Sequence, residues 1–121
     1  MVFCWNYKYY HIEFAGIYVK NREEKYCYIK IHKRGKEKIV AICDEILLGK
    51  VLEDKNMRVE VKREFYGGQR VKLSEIYKCI SDATVINLLG NDVVTELAKD
   101  NRLILDAAIR IAGVLHVQLI R

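Results

Sequence analysis

The sequence predicts an α+β fold: a small mixed or antiparallel sheet with an N-terminal and a C-terminal hairpin and two to three short helices. β-branched and aromatic runs alternate with short helical segments, without the regular spacing of βαβ units. The chain has 121 residues, 51% of them apolar, which is enough for one packed domain. Glycine marks the turns, because the chain contains seven glycines and no proline.

Residues 1–25 differ in composition from the rest, which we expect to form a single domain over residues 26–121. This N-terminal part is an aromatic extension or arm, and it holds seven of the twelve aromatic residues of the chain. Trp5, Tyr7 and Tyr9 alternate with other residues, which is typical of a strand with one apolar face. The extension is interpreted as an added strand, a docking arm or an upstream addition. Its aromatic rings would pack on the body or stack on bases.

The first hairpin is predicted over residues 26–43, with its turn at Arg34-Gly35. Alternation gives it a core face, and the residues predicted there are Cys27, Ile29, Ile31, Val40 and Ile42. Lys30, His32 and Glu37 would then point the other way, with His32 opposite Glu37.

The middle of the chain contains several shorter elements. Asp44 is predicted to be the N-cap of a short helical turn that ends at Gly49. Residues 58–62 alternate charged and apolar side chains, as a half-exposed strand does. Residues 65–68, Phe-Tyr-Gly-Gly, are expected to form a loop.

The last third is predicted to contain two helices, a buried strand and a closing hairpin. Ser74 would cap a helix over residues 75–81, and Asn91 would cap the next one. Between them, residues 84–89 form an apolar run that indicates a buried strand. The closing hairpin would turn at Gly113-Val114, flanked by strands over residues 106–112 and 115–120.

The positive charge is concentrated near the N-terminus. Residues 1–38 contain nine basic and four acidic residues, a net charge of +5, whereas residues 39–121 contain twelve of each. The tip of the first hairpin holds Lys33, Arg34, Lys36 and Lys38. Such a basic end favours an acidic partner, most often nucleic acid; the alternative is ordinary solvated charge.

Composition also excludes several classes of protein. No apolar run is long enough to span a membrane, and no secretory signal is recognisable, so we expect a cytoplasmic protein. The four cysteines lack zinc-ligand spacing and are interpreted as reduced thiols: Cys4, Cys27, Cys43 and Cys79. We predict no metal and no cofactor.

Seven segments together resemble a known family. They are residues 30–33, 40–44, 47–50, 65–68, 85–90, 109–114 and 116–118. In this order they resemble the archaeal "domain of unknown function 424" family over about residues 26–121. The resemblance implies no established reaction. It does imply a role in translation, because genes of the family often lie near that of a translation initiation factor subunit. Leu115 departs from the family pattern, which usually has proline there.

Candidate functional residues follow from charge and position. His116 and Gln118 would share one strand face, with Arg110 on the partner strand nearby, and together they would bind a phosphate or a base edge. Lys50 and the glycines after Tyr66 would approach phosphate, although a tight turn at those glycines is the simpler interpretation. The predicted nucleic-acid-binding residues are Lys30, His32, Lys33, Arg34, Lys36, Lys38, Lys50, Tyr66, Arg110, His116 and Gln118.

Three functions remain open from the sequence. The first is an RNA- or ribosome-binding module that works with a translation factor. The second is a small enzyme in which Asp44 and His116 form an acid/base pair in a cleft. The third is a protein-interaction subunit, such as a homodimer formed through a sheet edge or the aromatic arm. No catalytic arrangement is convincing, so the first function is preferred.

Overall fold

A computed structural model describes residues 24–121 in full and, before them, the backbone of three strands. These strands are β1 (Val2–Trp5), β2 (Tyr10–Phe14) and β3 (Ile17–Lys20), and they form one antiparallel sheet in the order β1-β2-β3. A strand is therefore present at Trp5. The predicted alternation at Tyr7 and Tyr9 lies outside the described residues.

The remaining elements surround a six-stranded sheet. The strands are β4 (Tyr26–Arg34), β5 (Glu37–Asp44), β6 (Val51–Glu53), β7 (Arg58–Glu60), β8 (Gln69–Lys72), β9 (Val85–Leu89), β10 (Ile109–Ile111) and β11 (Val114–Ile120). The helices are α1 (Arg63–Tyr66), α2 (Tyr77–Ile80), α3 (Asn91–Ala98) and α4 (Leu103–Asp106). Single 3-10 turns cover Glu45–Leu47 and Leu73–Glu75.

The large sheet has the order β10-β11-β9-β5-β4-β8, and β6 and β7 form a separate ribbon. β5 and β9 are parallel, while the other neighbours are antiparallel. The predicted α+β class with a mixed sheet is confirmed. Within residues 24–121 no helix is long and apolar enough to cross a membrane.

The β4–β5 hairpin is present, but its turn lies one residue later than predicted. Arg34 pairs with Glu37 across Gly35-Lys36, and Gly35 has a φ of 61°. Glycine at the first central position is what a two-residue turn with one positive φ requires. His32 consequently lies opposite Ile39, and the predicted pairing with Glu37 is wrong. Because this register differs by two residues from the predicted one, the same side chains share a face as predicted. Ile31, at the end of that face, is nevertheless 43% exposed and lies outside the core.

One face of the sheet, which we call the helical face, is covered by α2, α3 and α4. Every second residue of each strand points into the core on this face, whether the neighbouring strand is parallel or antiparallel. The fully or nearly fully buried strand residues there are Cys27, Ile29, Val40, Ile42, Ile86, Leu88, Leu115 and Val117. The helices contribute apolar side chains to the same core, among them Ile80, Val93, Val94, Leu97 and Ile104. This is the larger of the two clusters of buried residues.

The opposite face is only half covered. A second layer made of the Glu45–Leu47 turn, the β6–β7 ribbon and α1 packs on it. The buried residues on this side are Ala41, Cys43, Leu47, Leu52, Val61, Tyr66, Leu89 and Ile111. The layer covers Ala41 and reaches His32 only through Phe65 of α1, so most of the strand ends nearer the Gly35 turn are left uncovered by the described helices and ribbons. We call this uncovered part the open face.

Asp44 caps a helix, but not the one predicted. Its carboxylate accepts the backbone N–H groups of Asp92 (3.1 Å) and Val93 (2.9 Å) at the start of α3, and it makes no capping bond to the turn that follows it. Gly90 makes this approach possible, because a Cβ at this position would lie 2.2 Å from the Asp44 Cγ. Asp44 does occupy the predicted N-cap position of its own turn, but its side chain makes no capping bond there. The predicted cap at Asn91 is wrong, because Gly90 is the N-cap residue of α3.

Two further predictions at helix starts also need correction. Ser74 lies inside a 3-10 turn and its hydroxyl donates to Glu24, so it caps no helix. The Phe-Tyr-Gly-Gly segment contains the end of α1 and is not all loop. One-turn helices such as these carry too little periodicity to be recognised in a sequence.

The closing hairpin is confirmed, but its turn is at Ala112-Gly113, one residue earlier than predicted. Both residues have positive φ, 50° and 81°, which is the geometry of a type I′ turn. A residue outside the hairpin stabilises Ala112 in this strained conformation, because the Ala112 N–H donates to the Asp54 carboxylate at 2.9 Å. Asp106, predicted as strand, ends α4 instead.

Candidate functional site

The open face consists of cross-strand rows of side chains. In one row Ile120, Val85, Ile39 and His32 are successive partners on β11, β9, β5 and β4. In the next row Gln118, Asn87, Ala41 and Lys30 are partners in the same way. Neighbouring strands lie about 4.8 Å apart. Ile39, Val85 and Ile120 thus form an apolar surface, which we call the apolar floor. Polar side chains that reach solvent border it.

Asn87 is the centre of the polar row. It is half-buried between Gln118 on β11 and Ala41 on β5. The Tyr66 hydroxyl donates to its Oδ1 at 2.6 Å. Since the oxygen is occupied, the two N–H groups of the amide are the part that a ligand can reach. The exposed Gln118 side chain adds a second amide directly beside it.

His32 closes the opposite side of the floor. Its Nε2 lies 2.9 Å from the Phe65 carbonyl oxygen, and its ring stacks on the Phe65 ring with centroids 5.0 Å apart. A carbonyl oxygen only accepts, so Nε2 carries a proton and donates this hydrogen bond. The hydrogen bond and the stacking therefore fix the position of the His32 ring at the margin of the open face.

The basic tip is divided between the two faces of the sheet. Lys30 and Arg34 share the face of His32, and Lys36 lies in the turn. Lys33 and Lys38 pair on the helical side, where Lys38 forms an ion pair with Asp82. The four basic residues therefore lie at the tip of the hairpin, as the sequence indicates, but they are distributed over both faces of the sheet. The open face has Lys30 and Arg34 along β4, with Glu37 opposite Arg34.

His116 and Gln118 lie on the same face, as the alternation predicts. His116 sits between Ile109 of β10 and Leu89 of β9 and is half-buried, and this burial lowers its pKa. Arg110 does not join them. It pairs with Leu115, so it belongs to the helical side, and the predicted His116–Gln118–Arg110 group is wrong.

The acid/base pair of Asp44 and His116 is not formed. Asp44 pairs with Cys27 and caps α3 on the helical face, whereas His116 faces the other way. Burial raises the pKa of Asp44 against the opposing effect of its two backbone hydrogen bonds. Burial also raises the pKa of the thiols of Cys27 and Cys43 to about 12, so neither is an activated nucleophile.

Tyr66 and the glycines after it support the fold. Tyr66 is 5% exposed, so its ring packs in the core and cannot stack on a base. A Cβ at Gly67 would lie 2.6 Å from the Arg63 carbonyl oxygen, and a Cβ at Gly68 would lie 2.2 Å from that of Ile29. These glycines let the chain pass close to α1 and β4, as a tight turn does.

Lys50 and the Leu115 backbone occupy other parts of the structure. Lys50 is exposed at the start of the β6–β7 ribbon, in the layer that covers the other half of the sheet. The Leu115 N–H donates to Asn91 Oδ1 at 2.9 Å. The proline expected from the resemblance has no N–H, so it could not make this bond.

Sequence reasoning missed Asn87. The signal was available, because Asn87 is the one polar side chain in the apolar run of β9 and alternates away from the buried Ile86 and Leu88. A polar residue that points away from the core side of a buried strand indicates either that a hydrogen-bond partner lies there or that this face of the sheet is uncovered. Its hydrogen bond with Tyr66, 21 residues away in sequence, has no sequence signature.

Comparison with known proteins agrees with the resemblance found in the sequence. The family model described as "Protein of unknown function (DUF424)" matches residues 32–121, and the chain belongs to this family. A crystal structure of an uncharacterized conserved protein from Methanopyrus kandleri is similar, with a TM-score of 0.64 and 25% identity, over 78% of this chain and 90% of that chain. A search among curated proteins finds no significant match.

Proposed function

We propose that this DUF424 member is a translation-associated RNA-binding module and that it holds single-stranded RNA on the open face. The observation that carries the proposal is the combination found there. Two amide side chains and a histidine border an apolar floor, and basic residues line one side. An uncovered sheet surface of this kind is a common platform for unpaired nucleotides.

Each group on the open face has a counterpart in RNA chemistry. The amides of Asn87 and Gln118 are cross-strand neighbours, and they offer hydrogen-bond donors and the Gln118 oxygen as an acceptor to the edge of a base. Ile39 and Val85 provide an apolar surface on which a base plane can rest. The His32 ring, half-buried and stacked on Phe65, adds an aromatic group of the kind on which bases stack.

Phosphate contacts would come from β4 and its turn. Lys30 and Arg34 lie on the open face and Lys36 follows in the turn, so a backbone crossing the strands would meet these cations at one margin. Arg34 suits phosphate particularly well, because its guanidinium can bind two oxygens at once. The connection to translation is the role that the family resemblance implies.

The test is RNA binding as a function of salt. A Lys30→Ala/Arg34→Ala/Lys36→Ala variant should bind short single-stranded RNA more weakly than the wild type and show a smaller salt dependence. The expected reduction in the slope of log K against log salt is about 2, from roughly 0.7 per phosphate contact. A Lys55→Ala/Lys78→Ala/Arg102→Ala variant, which removes three exposed charges elsewhere, is the matched control.

Base recognition is tested separately. Asn87→Ala and Gln118→Ala should reduce the preference among RNA sequences and leave the salt slope unchanged, because amides contact bases and not phosphates. Co-sedimentation with ribosomes from native lysate, with and without nuclease, tests the translation role. Equal RNA affinity of the wild type and both triple variants at every salt concentration would refute the proposal.

A further inference from the structure

The outer edge of β4 is longer than the strand that pairs with it. β5 pairs with β4 from Cys27 to Arg34, but β8 pairs only with Tyr26 to Ile29. Over Lys30 to Arg34 none of the strands that the structure describes lies on the outer side. This stretch, which we call the β4 edge, spans about 17 Å at roughly 3.4 Å per residue.

The backbone groups of Ile31 and Lys33 point out of this edge. Lys38, the partner of Lys33, directs its N–H and C=O to Thr84 on the far side of β5. In an antiparallel ladder, paired residues whose groups point away from each other alternate with pairs that bond each other. Lys33 and, two residues earlier, Ile31 therefore direct their N–H and C=O groups away from β5.

The chain itself prevents β8 from continuing along this edge. Gly68, just before β8, passes so close to β4 that a Cβ would lie 2.2 Å from the Ile29 carbonyl oxygen and 2.9 Å from the Lys30 Cα. Helix α1, which precedes Gly68 in the chain, lies on the face of the sheet that carries His32. There the Phe65 carbonyl oxygen contacts the His32 ring. The polypeptide thus crosses the β4 edge at Gly68 and leaves the following residues uncovered on the outer side.

We infer that the β4 edge binds an acidic, extended segment of a partner protein, which adds a strand to the sheet. Alternating N–H and C=O groups at strand spacing match a peptide backbone and not a nucleic acid. The neighbouring side chains determine the charge of the segment, since Lys30, Lys33, Arg34 and Lys36 all lie on or beside this edge.

An apolar position is expected opposite Ile31, which is 43% exposed on the helical side. Cross-strand neighbours of opposite charge stabilise a sheet, and like charges destabilise it. Pairing of this edge with that of a second copy would bring the two sets of basic side chains together. Charge therefore disfavours a homodimer here and favours an acidic segment that places an apolar residue opposite Ile31.

Proline at position 33 tests the backbone contact. Lys33→Pro removes an N–H that makes no ladder bond to β5, and proline is tolerated on an edge strand with its nitrogen outward. Lys33→Ala is the matched control, because it removes the same charge and keeps the N–H. The probes are a short peptide of alternating Glu and Val, its Lys and Val counterpart, and single-stranded RNA.

We expect the Glu-Val peptide to bind the wild type and to slow hydrogen exchange at the Ile31 and Lys33 amides. Lys33→Pro should bind it about tenfold more weakly than Lys33→Ala, as loss of one backbone hydrogen bond implies. Both Lys33 variants should bind RNA equally, which separates this site from the open face. Circular dichroism of Lys33→Pro checks its fold, and exchange on the wild type does not depend on that variant.

Four results would overturn the inference. They are unchanged exchange at the Ile31 and Lys33 amides when peptide is added, equal peptide affinity of the two variants, equal binding of the Lys-Val peptide, and a wild-type dimer in which those amides are protected without peptide. The last result would assign the β4 edge to a second copy of the chain.

Discussion

The two faces of the six-stranded sheet differ in what covers them. The helical face is sealed by three helices and contains Ile42, Leu88 and Val117, each at most 1% exposed. On the open face Ile120, in the same strand as Val117, is 72% exposed. The strands are shared, so a single run of residues supplies both a core and a polar surface.

Residues that stabilise the fold and residues that a ligand can reach consequently alternate along the same strands. Residues that point toward the helices are buried, so truncating their side chains removes buried apolar surface and leaves a cavity. Residues that point to the other face and lie beyond the covering layer, such as Gln118 and Ile120, contribute little burial and are available to a ligand. Substitutions one position apart should therefore have different effects, which the following predictions test.

The largest expected effect is from truncation on the helical face. Leu88→Ala should lower the free energy of unfolding by about 2–5 kcal/mol, because Leu88 is fully buried. Ile120→Ala should change it by less than about 0.5 kcal/mol, since its side chain already meets water. Urea denaturation of both variants measures the difference. Equal losses would show that the open face is covered in solution.

A somewhat smaller effect is expected at the α3 cap. Gly90 has a φ of +135°, and a Cβ there would lie 2.2 Å from the Asp44 Cγ, so Gly90→Ala combines backbone strain of about 1–3 kcal/mol with a collision. Asp44→Ala should cost about 1–2 kcal/mol through the lost cap. Thermal and urea unfolding of the single and double variants measures both.

The double variant is the informative one. Because the collision disappears with the carboxylate, Gly90→Ala/Asp44→Ala should lose less stability than the sum of the single variants. Gly35→Ala is the matched control, since Gly35 also has a positive φ, 61°, but has nothing within 4 Å of the added Cβ. Strict additivity would show that Asp44 and position 90 do not interact.

The smallest effect concerns pH and lies on the partly covered side. Burial lowers the pKa of His116 below the usual 6.5, so the unfolded chain binds a proton more readily than the folded one. The His116 contribution to stability is therefore complete above pH 6.5 and is lost as pH falls toward the lowered value. The stability advantage of the wild type over His116→Gln should shrink between about pH 7 and 5. A constant difference in unfolding free energy would contradict this.

Much of the architecture follows from the sequence alone. The alternation in Tyr26–Arg34 and Glu37–Asp44 determines which side chains share a face, because the period of a strand is two whatever its partner. For the same reason His116 and Gln118 share one face. Glycine positions locate both hairpin turns to within one residue. The family resemblance likewise depends only on local segments and their order.

Only the tertiary structure decides which elements meet across long separations. The pairing of Arg110 with Leu115 places this arginine on the side away from His116, and Asp44 caps a helix that begins 47 residues later. The hydrogen bond between Tyr66 and Asn87, and the half of the sheet that α1 covers, are also set by packing. Local sequence patterns determine which side chains share a strand face and where the turns lie. Strand register, and the part of the sheet that other elements cover, depend on how the whole chain packs around its core. Contacts between residues distant in sequence leave no periodic pattern, so the sequence alone does not reveal them.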